Sequence, residues 1–69
     1  MKNALIADYV REQRRKVGLT QAELAAKAGV GLRFIRDLEQ GKGSLRTDTL
    51  NKVLFLFGKR LGPVDLSRA

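Results

Sequence analysis

Apolar residues recur along this chain at helical intervals, and the alternation of a β-strand is nearly absent. Leu5, Ile6, Tyr9, Val10 and Val17 fall on one stripe, interrupted by Gln13, and predict a first helix with Arg11, Arg14, Arg15 and Lys16 on its opposite face. Gly18 stops that helix as a left-handed cap. Thr20-Gln21-Ala22-Glu23 reads as a capping box, in which the Thr20 hydroxyl accepts from the Glu23 amide and the Glu23 side chain reaches back to the Thr20 amide. A second, short helix therefore begins at Gln21, turns Leu24, Ala25 and Ala28 inward, and ends at Gly29. After Val30-Gly31 a third helix runs over residues 32–40, with Val30, Phe34, Ile35 and Leu38 inside and Gly41 closing it. Gly43 loosens the next loop, and Ser44 or Thr47 caps a fourth helix. Its buried stripe is Leu50, Val53, Leu54 and Phe57, widened by Phe55 and Leu56, and Gly58 ends it. Gly62-Pro63 cannot sit inside a helix, so residues 60–66 are predicted as a short extended segment or edge strand. The expected fold is all-α: a compact four-helix domain with a short C-terminal extended segment.

Composition narrows the chemistry. Sixty-nine residues make a single domain, 1–69. A chain of this size buries only about 60% of the surface its unfolded form exposes, and dimerisation is a common supplement. There is no cysteine, which excludes disulfides and thiolate metal sites. There is no histidine, so the commonest general base and metal ligand is missing. Asp8 and Glu12, or Asp37 and Glu39, are acids on helices with nothing else converging on them. Neither an enzyme nor a cofactor is expected. Fourteen Lys and Arg against seven Asp and Glu give a net charge of +7 on 7.7 kDa. That excess points to a polyanion, nucleic acid or an anionic membrane. No apolar stretch approaches the roughly 20 residues of a membrane span, and Met1-Lys2-Asn3 opens no signal-peptide apolar region. The stripes describe an internal core rather than one basic amphipathic face, which sets aside a membrane-surface peptide. The expected location is cytoplasmic.

The segment 20–41 carries the strongest signal: two short helices joined by a tight turn that contains glycine. Ala25 is small where the second helix crosses close, Gly29 supplies the positive φ of the turn, and Leu24, Val30, Ile35 and Leu38 pack the pair together. All six positions are filled as a helix-turn-helix needs. The run Gly18-Leu19-Thr20-Gln21-Ala22-Glu23-Leu24-Ala25, then Ala28-Gly29-Val30, Ile35 and Leu38-Glu39-Gln40-Gly41-Lys42, resembles the Cro/CI-type (XRE) repressors. The resemblance runs from Ile6 to Phe57 and implies a lambda-repressor-like helix-turn-helix fold. Within that family the short length and basic tail are most similar to HipB-like antitoxins, dimeric repressors that also bind a HipA-type serine/threonine kinase toxin. The sequence departs from many relatives at Gly31, where Ser or Thr caps the recognition helix, and at Phe34, where a small polar residue is common. Phe34 is expected to pack inward.

The resemblance implies that base readers fall on Gly31, Leu32, Arg33 and Arg36, with Asp37 at the edge. Arginines there can make bidentate contacts to guanine, whereas Leu32 offers only apolar contact to a thymine methyl. Phosphate contacts are expected from Gln21 at a helix N-terminus, from Arg14, and from Lys42, Ser44 and Arg46 in the loop after the recognition helix. Glu39 stands on the DNA side, where an acid is unwelcome, and the resemblance implies a structural role for it, an internal pair with a basic residue. Two domains about a twofold axis place their recognition helices about 34 Å apart and read a palindrome. Surplus apolar surface for pairing is offered by Phe55, Leu56, Leu61, Val64 and Leu66, the last three within a C-terminal segment 59–69. The sequence thus leads to a dimeric repressor of double-stranded DNA, either an autoregulating HipB-like antitoxin with a kinase partner, or a solitary XRE-family regulator or restriction-modification controller without one.

Overall fold

The computed structural model describes residues 4–42 and 44–66. Four helices follow in order, α1 (Ala4–Lys16), α2 (Gln21–Ala28), α3 (Leu32–Glu39) and α4 (Thr47–Phe55), and the described residues contain no strand. The expected all-α fold is the one observed. α3 packs on α1 and α2, and α2 packs also on α4. Val10, Leu24, Ala25, Ile35, Leu38, Leu50, Val53 and Leu54 form the buried cluster between them. Removing a Leu or Ile side chain from water contributes about 1.5–3 kcal/mol, so these few residues dominate the stability of so short a chain. Val30, Phe34 and Phe57 pack against the cluster half-buried, as the helical spacing predicts. Tyr9 meets Phe57 edge to face, ring centres 6.4 Å apart, and ties α1 to the end of α4.

The inward face of α1 is only partly the one its apolar residues suggest: Ile6, Tyr9 and Val10 meet the core as expected. Ala7 and Val10 are buried, whereas Leu5 is 87% exposed and Val17 is also exposed. The buried line runs Ala7, Val10, Arg14, three and then four residues apart. A charged residue occupies its last position, and a count of apolar side chains alone leaves it outside.

Helix ends follow local chemistry closely. The capping box of α2 is formed in both directions: the Glu23 amide donates to Thr20 Oγ1 at 3.1 Å, and the Thr20 amide donates to Glu23 Oε1 at 2.8 Å. The amide bond from Thr20, its hydroxyl bond and nearby Lys27 together hold the Glu23 carboxyl below its ordinary pKa. α2 closes at Gly29, whose φ is +72°. The Gly29 amide donates to the Ala26 carbonyl and the Val30 amide to the Ala25 carbonyl, the paired bonds of a Schellman motif. The same pairing recurs at the ends of α1, α3 and α4.

α4 starts differently from expectation. Arg46 occupies its N-cap, with no side-chain capping bond, and Thr47 is already helical. Neither Ser44 nor Thr47 is therefore the cap. Asp48 serves the first turn instead: its carboxylate accepts the Arg46 guanidinium at 2.9 and 3.2 Å and the Thr49 amide at 2.8 Å. These bonds, that from Arg46 foremost, hold Asp48 down to about 2, and an acid there suits the helix dipole. Gly43, the expected loosening point of the preceding loop, lies outside the described residues.

Beyond α4, residues 59–66 are neither helix nor strand. The Leu61 amide donates to Asn51 Oδ1 at 2.7 Å, and the Leu61 side chain packs on the core. Leu61 thus completes the monomer rather than standing out as pairing surface. Residues 67–69 of the expected pairing segment lie outside the described residues.

Candidate nucleic-acid interface

The interface is built on a buried acid. Glu39, in the last turn of α3, is only 4% exposed. Arg14 of α1 grips it with two bonds, Nε to Oε2 at 2.7 Å and Nη2 to Oε1 at 2.9 Å, while Arg14 Nη1 donates to the Leu19 carbonyl at 2.8 Å. Gln21 of α2 donates from Nε2 to Glu39 Oε1 at 3.1 Å. The Arg11 guanidinium donates to the Glu39 backbone carbonyl. Three helices are joined at one carboxylate. Burial alone would push the Glu39 carboxyl up; the hydrogen bonds from Arg14 and Gln21 and the charges of Arg14 and Arg11 outweigh it and hold the group below its ordinary value. Its bond to Glu39 raises Arg14 further, against burial.

This clamp takes in two of the residues expected at phosphates. The Arg14 side chain is 13% exposed, and each of its donating groups faces a partner inside the protein. The Gln21 side chain is likewise turned onto Glu39. One N–H of its amide is engaged there, and a second remains, beside the first backbone amides of the helix, which have no intrahelical acceptor. The physical reason is the burial of Glu39, which demands a bidentate cation and a further donor. Sequence reasoning anticipated a basic partner for Glu39 without naming it, and missed Arg11. The recoverable signal was the pair of arginines three residues apart on α1, which share a face.

With the inner face of α3 seated on the core and its last turn held to α1, its outer face has a defined orientation. Arg33, Arg36 and Gln40 are exposed, with Asp37 between them in the same stripe. Gly31, the uncapped N-cap of α3, is exposed as well. Leu32 is half-buried and packs against the core cluster, so its apolar side chain has a structural use. Among the described residues the Arg33 and Arg36 guanidinium groups make no ion pair and no hydrogen bond. Lys42 folds back on the helix end: its amide donates to the Asp37 carbonyl at 3.1 Å, and its Nζ lies 3.8 Å from Asp37 Oδ1. Ser44 and Arg46 are exposed in the following loop, Arg46 forked onto Asp48. The face is thus a short helix presenting two guanidinium groups beside a basic loop. The described residues hold no cluster of metal-ligating side chains, and no helix among them is long and apolar enough to cross a membrane.

Residues 10–63 match the helix-turn-helix family. The chain is a helix-turn-helix protein of the Cro/CI (XRE) type. It is also similar to the uncharacterized HTH-type transcriptional regulator y4mF of Sinorhizobium fredii, with 47% identity over 53 residues, 77% of this chain and 70% of that protein. In this helix-turn-helix α3 is the second helix, packed on α2, and Ala25 of α2 is buried. The match begins at Val10, so it takes in both Arg14 and Glu39.

Proposed function

We propose that this helix-turn-helix protein is a sequence-specific transcriptional repressor that binds double-stranded DNA by laying α3 in the major groove. The observation that carries the reading is the pair of exposed, unengaged guanidinium groups, Arg33 and Arg36, on the outer face of a recognition helix held by the core and by Glu39. In the groove their planar forks match guanine O6 and N7. The first amides of α2, Lys42, Ser44 and Arg46 flank that face and take phosphates, with affinity that falls steeply with salt. The name of the Sinorhizobium relative, a transcriptional regulator, supports the same role. The working unit is a homodimer on a palindromic operator, joined through Phe55, Leu56, Val64 and Leu66, all exposed in the monomer. Its basic C-terminal tail supports the antitoxin reading, in which the dimer represses its own operon and binds a HipA-like kinase. Occupying an operator requires no catalysis and no cofactor.

Footprinting on the region upstream of its own gene, followed by titration of Arg36→Ala on the protected site and on a scrambled duplex, tests this. The variant is expected to lose about 1–3 kcal/mol on the protected site and little on the scrambled one. Equal loss on both makes Arg36 a phosphate contact, and no protection at low salt removes the repressor reading. A kinase-like reading frame beside the gene distinguishes the antitoxin from a solitary regulator.

A further inference from the structure

We propose that Asp37 is a specificity-determining residue that accepts a hydrogen bond from the N4 amine of a cytosine, next to guanines read by Arg33 and Arg36, so that the recognised half-site is dense in G·C pairs. The inference rests on the DNA-binding reading above and adds the identity of the bases.

An acid on a face that meets phosphates is unfavourable unless something offsets its charge and gives it a donor. Lys42 does the first. Its Nζ stands 3.8 Å from Asp37 Oδ1, at the point where its own amide closes the helix on the Asp37 carbonyl. Asp37 pairs forward with Lys42 and not back with Arg33 one turn earlier, which leaves the Arg33 guanidinium to the groove and the second carboxylate oxygen of Asp37 to a ligand. The Asp37 side chain is still 36% exposed, so the carboxylate is open to a ligand.

The major groove then decides which base can satisfy it. Guanine and thymine offer a carboxylate only acceptors there, with the thymine methyl beside them, and so repel it. Adenine places an N7 acceptor beside its N6 amine, which suits an amide and opposes a carboxylate. Cytosine presents an amine donor alone, and an acid is its matching side chain. Position agrees with this. Arg33 and Asp37 are about 6 Å apart along the helix axis at 1.5 Å per residue, a little under two base-pair steps of about 3.4 Å. Arg33, Arg36 and Asp37 therefore address neighbouring pairs, two through guanine and one through cytosine.

Selection of duplexes from a random pool by the full chain, followed by sequencing, tests the assignment. Wild-type protein is expected to enrich half-sites with guanine at two positions and cytosine at a third close by. Asp37→Asn replaces an acceptor-only group with one that pairs with adenine N6 and N7. It is expected to convert the cytosine position to adenine, with discrimination of about tenfold or more, while both guanines persist. Asp37→Ala is expected to lose preference at that position alone. Far-UV circular dichroism of both variants shows that they fold. An unchanged selected sequence for Asp37→Asn, or a change at a guanine position instead, overturns the role of Asp37 and leaves DNA binding standing. A wild-type selection with no enriched sequence overturns the DNA-binding reading and this inference with it.

Discussion

Removing Arg14 would strand a carboxylate in the interior. Glu39 is buried, accepts both forks of Arg14, and gains only one further side-chain bond, from Gln21. Breaking a buried pair from one side costs about 3–5 kcal/mol, most of what a domain this small has in reserve. Arg14→Met is expected to fall largely unfolded in a urea melt, whereas Arg14→Met with Glu39→Met recovers most of the loss, because no charge is then buried unpaired. A double variant no more stable than the single one would show that the clamp is not what the core depends on. Acid has a related effect. The Glu39 carboxyl is held below its ordinary value in the folded state, so its contribution is complete above the ordinary carboxylate pKa of about 4.3. It is lost as pH falls from there through the lowered native value. Melting temperature is expected to drop on acidification below about pH 4, and to drop less in the Met/Met double variant. The sequence made Glu39 conspicuous as an acid on a basic side, yet its partner lies 25 residues away on another helix, and the paired arginines of α1 show a shared face without saying what it meets.

The helices themselves were legible because their ends are local. A capping box, an apolar rhythm and a glycine after each run are short-range chemistry, and α2 begins and closes where they say. Gly29 can be tested directly. Its φ is +72°, and an added Cβ would meet nothing within 4 Å. The cost of Gly29→Ala is therefore the backbone cost of a left-handed residue, about 1–2 kcal/mol, with no steric addition. A chemical-denaturation midpoint lowered by that amount is expected, and an unchanged midpoint would mean that the turn tolerates another conformation. The two misjudged elements have separate causes. In α1 the misplaced residue is Arg14, which occupies an inward position that only a partner on α3 makes habitable. α4 lacks the expected cap because Asp48 serves its first turn from inside the helix, paired with Arg46.

As a whole molecule, the chain leaves more apolar surface uncovered than its core can use. Val64 is 87% and Leu66 93% exposed, and Phe55 projects from the end of α4. These side chains stabilise nothing within the monomer, so their replacement separates pairing from folding. Val64→Asp with Leu66→Asp is expected to shift sedimentation from dimer to monomer, to leave the fold intact by circular dichroism, and to reduce binding of a two-half-site duplex to that of a single half-site. A dimer of unchanged strength would place the interface elsewhere. Leu61 is unsuitable for this test, because it packs on the core and its amide is held by Asn51.

Residue order alone was enough for the number and order of helices, the crossing of α2 and α3, and the excess of positive charge, since each depends on neighbours within a turn or two or on a sum over the chain. It was also enough to place Arg33 and Arg36 outside, because they lie opposite the apolar stripe of their own helix. Only the tertiary fold decided which charges face inward. Arg11, Arg14 and Gln21 look like solvated polar side chains until α3 brings Glu39 against them, and Arg14 then turns from a candidate for the DNA surface into a support of the helix that forms it.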